Sequence, residues 1–584
     1  MNVSQYKIHD KLAEDAIASI SLFTSIEEAI TQAGRHPGCQ PSEAGILDAD
    51  PDEVERCVIG GLAFDYAVDD EGTAWIVRCE SSASSIDIPS SIGGHAVSAI
   101  GGHAFSTCYS LEHVLIPEGI TSIGKYAFMN TALVEVALPS TLRIIGDNAF
   151  YKCSKLTKVV LSDNLESIGS SAFRESALSA LSIPASVSFI GQNAFKDTGI
   201  VCNGQDQTLF IDPQNNDYIL EGGALYKRLD DGLVLIQVLD VNATAFSALP
   251  GTTRIAAKAF ANLKRIERVV LPEDTHSIGE KAFSGCSSLA SIELPDTLVS
   301  IGKLAFQDTD LRELRIPTSL AEAGTAAFYT GGSIARKHVP TIKVIEISPE
   351  NTRFYIQDGI LCHRNVRGGV TAMLYTGDAE HLVIPREVTT IGMYAFLNCS
   401  SIRSVEIHDG VSSIDVGGLD TGRSITSVVY VVYEGGGKPL QRFLINFPPG
   451  LAGREAAKLT FSRGEFSLPF AFASADDAIL ATQDTFLRAK AILERLDNPV
   501  MLGDSTRAAF KRQLARAVPG TVVAMGKNGF SQGVDMLYKA GVITQENIDD
   551  IIEEASKAHE IAVLSCLMEL KRTAFQGRMF DFDL

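Results

Sequence analysis

Apolar positions in the middle of the chain recur in a fixed phrase, Ile-Gly-x-x-Ala-Phe, whose first full copy spans residues 100–105 and whose last spans 391–396. A unit of about 22 residues cannot bury its own apolar face, so neighbouring units are expected to stack into a solenoid with phenylalanine between the coils. Within each run the phenylalanines follow one another at steps of 22 or 23 residues, at positions 105, 128, 150, 173 and 195, then 260, 283, 306 and 328, with a further copy at 396.

Each unit also carries a short segment of alternating apolar residues, Leu-x-x-Val-x-Ile-Pro, as in residues 111–117. The alternation predicts a strand with one buried face, and proline, which has no amide hydrogen, ends it. The phrase Leu-x-x-Ile-Gly follows, as in residues 142–146, and here we expect glycine to permit a tight turn. Cysteine three residues after the phenylalanine accompanies the longer units, and threonine or serine accompanies the shorter ones, which indicates one structural unit whose length is set at a corner.

These residues resemble the BspA-like bacterial leucine-rich repeats, whose pattern is LxxIxIPxxVxxIGxxAFxxCxxL, over roughly residues 86–414. The resemblance implies a repeat solenoid, a right-handed leucine-rich repeat superhelix with a parallel β-sheet on one face. It also implies protein or surface binding as the usual role, and no catalytic residues. Members of that family are often exported.

Two segments of similar sequence interrupt the phenylalanine series, at residues 212–227 and 348–363. Each continues through a polar turn into another apolar run, and both resemble the β-hairpins that the same family inserts between repeat blocks. Residues 57–79 have a comparable strand–turn–strand pattern and contain the one tryptophan, Trp75. We interpret this segment as a cap over the first coil, since an open solenoid end exposes a sheet edge and an apolar face.

Both ends of the chain differ from the repeats. Residues 14–23 and 26–33 have the pattern of amphipathic helices, and helical spacing returns at residues 506–518, 529–540 and 544–575, where Thr544 is a predicted N-cap. Residues 534–571 resemble the degenerate ankyrin-like helical pairs found behind some bacterial leucine-rich repeats. We therefore expect an N-terminal helical segment and linker (1–52), the solenoid with its β cap (53–450) and an all-α C-terminal domain (451–584).

Composition narrows the possible functions. Hydrophobic residues make up 45% of the 584 residues and charged residues 21%, which is typical of folded proteins. The net charge of -21 disfavours nucleic acids and anionic membranes as partners. No apolar run is long enough for a membrane span, the start lacks a secretory pattern, and the ten cysteines are scattered, so we expect free thiols and a cytoplasmic protein. The alternative is a cell-surface or secreted protein that leaves by a non-classical route.

Several local patterns suggest chemistry, but a structural interpretation is favoured for each. Residues 119–125 fit most of a P-loop, but Tyr126 stands where serine or threonine would hold magnesium. Asp48, Asp50 and Asp52 begin like a calcium loop that Pro51 interrupts. Histidine and cysteine are common metal ligands, but His95, His103, His113 and Cys108 occupy different positions of the repeat unit. We therefore expect no cofactor, no metal and no enzymatic activity.

The remaining candidate site is the open face of the predicted sheet, where charged residues of both signs alternate with apolar ones and suit a protein partner. The sequence therefore predicts a non-enzymatic scaffold or adaptor that binds a protein partner of unknown identity, with a surface adhesin as the alternative. The residues chosen for this face are His113, Leu115, Glu135, Lys158, Arg268, Glu293, Glu313, Arg315 and Glu406.

Overall fold

The computed structural model describes residues 54–203, 206–331, 342–397, 399, 401–415, 417–419, 427–433, 439–446, 476–477, 479–497, 499 and 502–575. These residues form two compact units that divide after Thr352. The first unit holds two blocks of stacked coils, block 1 (residues 54–211) and block 2 (residues 218–347), and the second holds block 3 (residues 354–446) and the helices. The helices predicted at 14–23 and 26–33, and the predicted boundary at 450, lie outside the described residues.

The Leu-x-x-Val-x-Ile-Pro segments form short strands, which together make up the front sheet of each block. As the alternation predicts, Val136 and Val159 are buried at the centre of their strands and pair in parallel register. Front strands of block 1 are Ser85–Asp87, His113–Leu115, Glu135–Ala137, Lys158–Val160, Leu181–Ile183 and Leu209–Ile211; those of block 2 are Ala245–Ser247, Arg268–Val270, Ser291–Glu293, Glu313–Ile316 and Val344–Ile347; and those of block 3 are His381–Val383, Ser404–His408, Ser427–Tyr433 and Pro439–Asn446.

A second row of strands, the back sheet, is formed in most coils by the isoleucine of Ile-Gly and the residue before it. Ile145 pairs in parallel with both Ile123 and Ile168, so the row continues from coil to coil. The back strands are His95–Ile100, Ser122–Ile123, Ile144–Ile145, Ser167–Ile168 and Phe189–Ile190 in block 1, Thr252–Ile255, Ser277–Ile278, Ser300–Ile301 and Glu322–Ala323 in block 2, and Val388–Ile391 and Ser413–Ile414 in block 3. Shorter pairings involve Ser91–Ile92, Cys202–Asn203 and Asp206–Gln207.

Each block begins with a three-stranded antiparallel hairpin unit whose third strand pairs in parallel with the first back strand. The hairpins predicted at 212–227 and 348–363 are therefore confirmed, and the predicted cap at 57–79 has the same arrangement. The three units are Glu55–Ile59, Leu62–Val68 and Ala74–Cys79; Tyr218–Glu221, Ala224–Leu229 and Gly232–Val238; and Phe354–Gln357, Ile360–Arg364 and Val370–Tyr375.

The predicted phenylalanine ladder forms the core between the two sheets. Phe105, Phe128 and Phe150 are completely buried, and their rings lie nearly parallel with centroids 5.0 and 5.3 Å apart. The weaker copies at Phe260 and Phe328 are buried as well. Each fully buried ring contributes roughly 1.5–3 kcal/mol of hydrophobic stabilisation, so stacking of coils is the main source of the fold's stability.

The corner after each phenylalanine explains the alternation between cysteine and threonine. In the shorter unit, the hydroxyl of Thr131 donates to the carbonyl of Phe128 in its own coil, 2.9 Å away. In the longer unit, the thiol of Cys153 donates to the same Phe128 carbonyl, which belongs to the preceding coil, 3.1 Å away. Cys286 repeats this contact on the carbonyl of Phe260 at 3.0 Å. The extra residue therefore directs the corner side chain towards the neighbouring coil.

The glycine of Ile-Gly has a different role from the tight turn predicted for it. A Cβ added to Gly169 would lie 2.5 Å from the backbone nitrogen of Asp147 and the carbonyl carbon of Gly146, because stacked coils approach most closely here. The left-handed turn lies two residues before the phenylalanine instead. Asn148 and Ser171 occupy that position with φ of 55° and 56°. The glycine is required for close backbone packing, and the prediction about the turn was wrong.

The predicted all-α region is present in the described C-terminal residues as a series of α-helices that ends in a π-helical turn; residues 476–477 and 479–481 are also helical. They enclose their own core, which includes Phe510, Met525 and Leu567. The long helical pattern at 544–575 divides into two helices, because His559 has φ of 60°. The elements are Thr485–Asp497, Asp504–Ala515, Val518–Lys527, Gly533–Lys539, Ile548–Lys557, Ile561–Leu570 and the π turn Lys571–Phe575.

One capping prediction in this region was wrong. The helix predicted to start after Thr544 begins at Ile548, and Asn547 occupies the N-cap position. The side-chain oxygen of Asn547 accepts a hydrogen bond from the amide of Thr544 at 2.8 Å, and its amide nitrogen donates to the carbonyl of Val542 at 2.9 Å. Asn547 therefore fixes the preceding turn, which the sequence pattern alone did not identify.

Candidate protein-binding face

The front strands of block 1 carry four of the predicted residues on successive coils, where the strands pair two by two and neighbouring pairs are in contact. His113, Leu115, Glu135 and Lys158 are all exposed, and Glu135 and Lys158 lie directly opposite each other in parallel register. Their position follows from the strand alternation, since each flanks an inward valine, which is partly buried at Val114 and buried at Val136 and Val159. The structure thus brings four of the nine predicted residues together on neighbouring coils.

One column of this surface is mainly apolar, and we call it the apolar stripe: Leu115, Ala137, Val160, Ser182, which is its polar member, and Phe210. Leu115 is 62% exposed, and Val160 and Phe210 are each 52% exposed. Ala137 is in register with Val160, and Ser182 is in register with Phe210, so a small residue lies before each of these larger ones. The sequence analysis missed Phe210, although the buried Leu209 beside it indicates the same alternation.

A polar column runs beside the apolar stripe and contains His113, Glu135 and Lys158. In the described part of the chain neither Glu135 nor Lys158 forms an ion pair. The nearby pair between Lys155 and Glu112, at 3.0 Å, involves neither of them. Both charges are therefore available to a partner that approaches the stripe.

The front strands of block 2 are different, because three of their four predicted charges form ion pairs. Arg268 lies 2.5 Å from the carboxylate of Glu293, and Arg315 lies 3.1 Å from that of Asp296. Glu313 is exposed beside Arg315. Exposed ion pairs contribute little to stability, at most about 1 kcal/mol, but a partner would have to break them to reach these charges.

In block 3 the prediction of an exposed Glu406 was wrong. Glu406 is only 8% exposed. It lies between Val383 and Val429 in the register of the sheet, so branched side chains flank it on both sides. Its strand is also buried on both faces from Val405 to His408, which the alternating pattern did not predict.

The histidines and the cysteine considered for metal binding each have a structural environment of their own. His95 contacts the carbonyl of Gly72 at 2.9 Å, His103 stacks on Tyr126 with centroids 4.8 Å apart, and Cys108 is completely buried. Among the residues described by the structure, no cluster of three metal-ligating side chains occurs. Residues 119–125 form part of an ordinary coil, whereas Asp48, Asp50 and Asp52 lie outside the described residues.

The described cysteines are free thiols, nine in number. Burial raises the pKa of Cys153 to about 11 and the pKa values of Cys286, Cys362 and Cys399 to about 12. A hydrogen bond with Cys108, together with burial, also raises the pKa of Cys79. Because the thiolate is the reactive form, these five thiols are suited to packing rather than to nucleophilic chemistry.

Comparison with known proteins identifies the repeats. The model of the BspA type leucine rich repeat region matches six copies, over residues 78–201, 253–351 and 371–430. The pneumococcal vaccine antigen PcpA is 18% identical with a TM-score of 0.42, and the matched region covers 65% of this chain and 94% of that one. A leucine rich cell surface protein from Faecalibacterium prausnitzii is 20% identical with a TM-score of 0.34, covering 66% and 96%.

A leucine rich repeat protein from T. pallidum is 20% identical with a TM-score of 0.23, covering 44% of this chain and 88% of that one. No curated protein matches the chain. Within the described ranges, no helix combines the length and apolar character needed to cross a membrane. The repeat region of this chain belongs to the BspA-type leucine-rich repeats.

Proposed function

We propose that the chain is a non-enzymatic interaction scaffold that binds a protein partner on the front sheet of block 1. The observation that carries the proposal is the apolar stripe, where Leu115, Val160 and Phe210 are each more than half exposed on one face. Exposed apolar surface rimmed by polar residues is typical of protein-binding sites. The column of His113, Glu135 and Lys158 supplies such a rim along one side.

The character of the other surfaces supports this choice of face. Three of the four predicted charges on the block 2 front strands are occupied by the pairs Arg268–Glu293 and Arg315–Asp296, and Glu406 of block 3 is buried. In the part of the chain that the structure describes, no three metal-ligating side chains cluster, and Cys108 is buried. A binding role therefore agrees better with the arrangement of side chains than a catalytic one does.

We place this function in a reducing compartment, the cytoplasm, and the nine free cysteines support this placement. A cell-surface adhesin is the alternative. Cell fractionation combined with protease treatment of intact cells separates the two. Recovery of an intact chain in the soluble lysate is expected, whereas loss of the chain on protease treatment of intact cells would favour the adhesin.

Site-specific photocrosslinking in living cells tests the binding face. A photoreactive amino acid would replace Leu115 on the front sheet and, as the matched control, Arg143 beside the back strand Ile144–Ile145, whose side chain is 60% exposed. The proposal predicts a discrete crosslinked species that depends on light at position 115 and is absent at position 143. Equal crosslinking at both positions, or none at position 115, would contradict it.

A further inference from the structure

We propose that the partner segment bound by the apolar stripe is an amphipathic α-helix that lies along the solenoid axis. The inference rests on the proposed function, because it specifies what binds the same face. Three geometric features carry it: the alternation of large and small side chains along the stripe, the spacing of the coils, and the position of the free charges beside the stripe.

Large and small side chains alternate from coil to coil. Leu115, Val160 and Phe210 project from every second coil, and Ala137 and Ser182 lie on the coils between them. The surface therefore contains two shallow pits, one above Ala137 and one above Ser182, each bounded by exposed apolar side chains. A complementary partner needs two apolar side chains at the distance that separates these pits.

That distance is set by the stacking of the coils. Successive phenylalanine rings in this block lie 5.0 to 6.3 Å apart, and the two steps between the pits are both 5.3 Å, so the pits are about 10 Å apart. Residues i and i+7 of an α-helix lie on one face about 10.5 Å apart. In an extended strand, residues on the same face are about 6.7 Å apart. One such repeat is shorter than the distance between the pits, and two are longer. The coil spacing thus favours a helix.

The free charges fit the same partner. Glu135 and Lys158 lie on adjacent coils, about 5 Å apart. On a helix, residues at i and i+3 or i+4 are separated by about 5–6 Å. A basic residue followed one turn later by an acidic residue would therefore face Glu135 and Lys158 in order. The stripe spans four coil steps, about 20 Å, which a helix of about 14 residues covers.

A library of random 18-residue peptides displayed on phage, selected against the immobilised full-length chain, tests the inference. Enriched peptides are expected to carry apolar residues at i, i+3 or i+4, and i+7. Their affinity should fall at least tenfold on Val160→Lys, which places a charge in the stripe. It should also fall at least tenfold on Ala137→Leu, which fills a pit while making the surface more apolar. The control is Val241→Lys, at an exposed valine outside the front sheet, where affinity should not change.

The outcomes separate this inference from the proposed function. Apolar residues at alternate positions in the enriched peptides, unchanged or tighter binding to Ala137→Leu, or no enrichment at all would overturn the helical partner. If photocrosslinking at position 115 still captures a partner, the proposed function stands and only the inference fails. If position 115 captures nothing, both fail.

Discussion

The side-chain amides of Asn215 and Asn351 make the same pair of hydrogen bonds, one just after block 1 and the other just after block 2. Asn215 donates to the carbonyls of Pro184 and Val187, each 2.9 Å away. Asn351 donates to the corresponding carbonyls of Pro317 and Leu320, at 2.7 and 3.0 Å. The Pro-x-Asn sequence recurs before the second and third hairpins. In both places its asparagine therefore holds this segment to the end of the preceding block by hydrogen bonds.

Removing the hydrogen bonds of Asn215 should destabilise the segment that follows block 1. Asn215 is buried, and its side-chain oxygen also accepts hydrogen bonds from the amides of Asp217 and Tyr218. Asn215→Ala leaves these buried groups without partners, at an expected cost of about 1–3 kcal/mol. Hydrogen exchange should rise in residues 184–190 and 217–226. The exposed neighbour Gln214 is the control, and Gln214→Ala should change stability by less than about 0.5 kcal/mol. Equal effects of the two changes would contradict this role.

The phenylalanine ladder predicts local damage from a single truncation. Phe150 is completely buried between the rings of Phe128 and Phe173. Phe150→Ala should leave a cavity and cost roughly 3–5 kcal/mol. Because each coil contacts its neighbours, hydrogen exchange should rise most across residues 123–195 and little in the helices. Lys158→Ala on the front sheet should stay within about 0.5 kcal/mol. Uniform loosening of the chain would argue against the stacking assigned here.

Replacing the packing glycine of Ile-Gly with alanine should lower stability, whereas the same change within a helix usually raises it. Gly169→Ala places a Cβ 2.5 Å from backbone atoms of the neighbouring coil, so the coils must separate and stability should fall by about 1–3 kcal/mol. Gly520 is the control. It lies in the helix Val518–Lys527 with open space around its Cα, and Gly520→Ala should be neutral or stabilising by up to about 1 kcal/mol. Thermal unfolding of both variants tests this prediction. A Gly169→Ala chain as stable as the unsubstituted chain would contradict the packing role.

The buried thiols predict a loss of stability in alkaline solution. Burial raises the pKa of Cys153 from about 9 to about 11. Its folded pKa exceeds its unfolded pKa, so its contribution is complete below about pH 9 and is lost as pH rises towards 11. Cys153→Ser keeps a donor towards the Phe128 carbonyl but does not ionise in this range. It should reduce the alkaline loss by up to roughly 2 kcal/mol in urea unfolding at pH 8.5 and 10.5. Cys566→Ser, in the helical region, is the control, and an unchanged pH dependence of Cys153→Ser would refute the assignment.

The repeat itself was predictable because its apolar positions recur many times. Phe150, Val136 and Cys153 all lie where the pattern places them, and the similar text at 212–227 and 348–363 identified the hairpins. Repetition compensates for the weakness of any single match. The predicted outward positions in block 1 followed from the same alternation.

Other features depend on contacts between coils that one unit's sequence does not contain. The role of Gly169 depends on the approach of Gly146 in the preceding coil, and the burial of Glu406 depends on its neighbours in register. The pairing of Arg268 with Glu293 likewise joins two coils. Local alternation specifies which side of a strand a residue occupies, but not what lies next to it across the sheet.

The chemical accessibility of Lys158 in living cells tests the binding face most directly. Lys158 is exposed in the free chain, as are Lys264 and Lys303, which lie outside the front strands. Amine-reactive labelling would be compared between the purified chain and intact cells, with the extent at each lysine read by mass spectrometry. The account predicts that Lys158 is labelled several-fold less in cells, relative to Lys264 and Lys303. Equal relative labelling of Lys158 in the two samples would contradict a partner on this face.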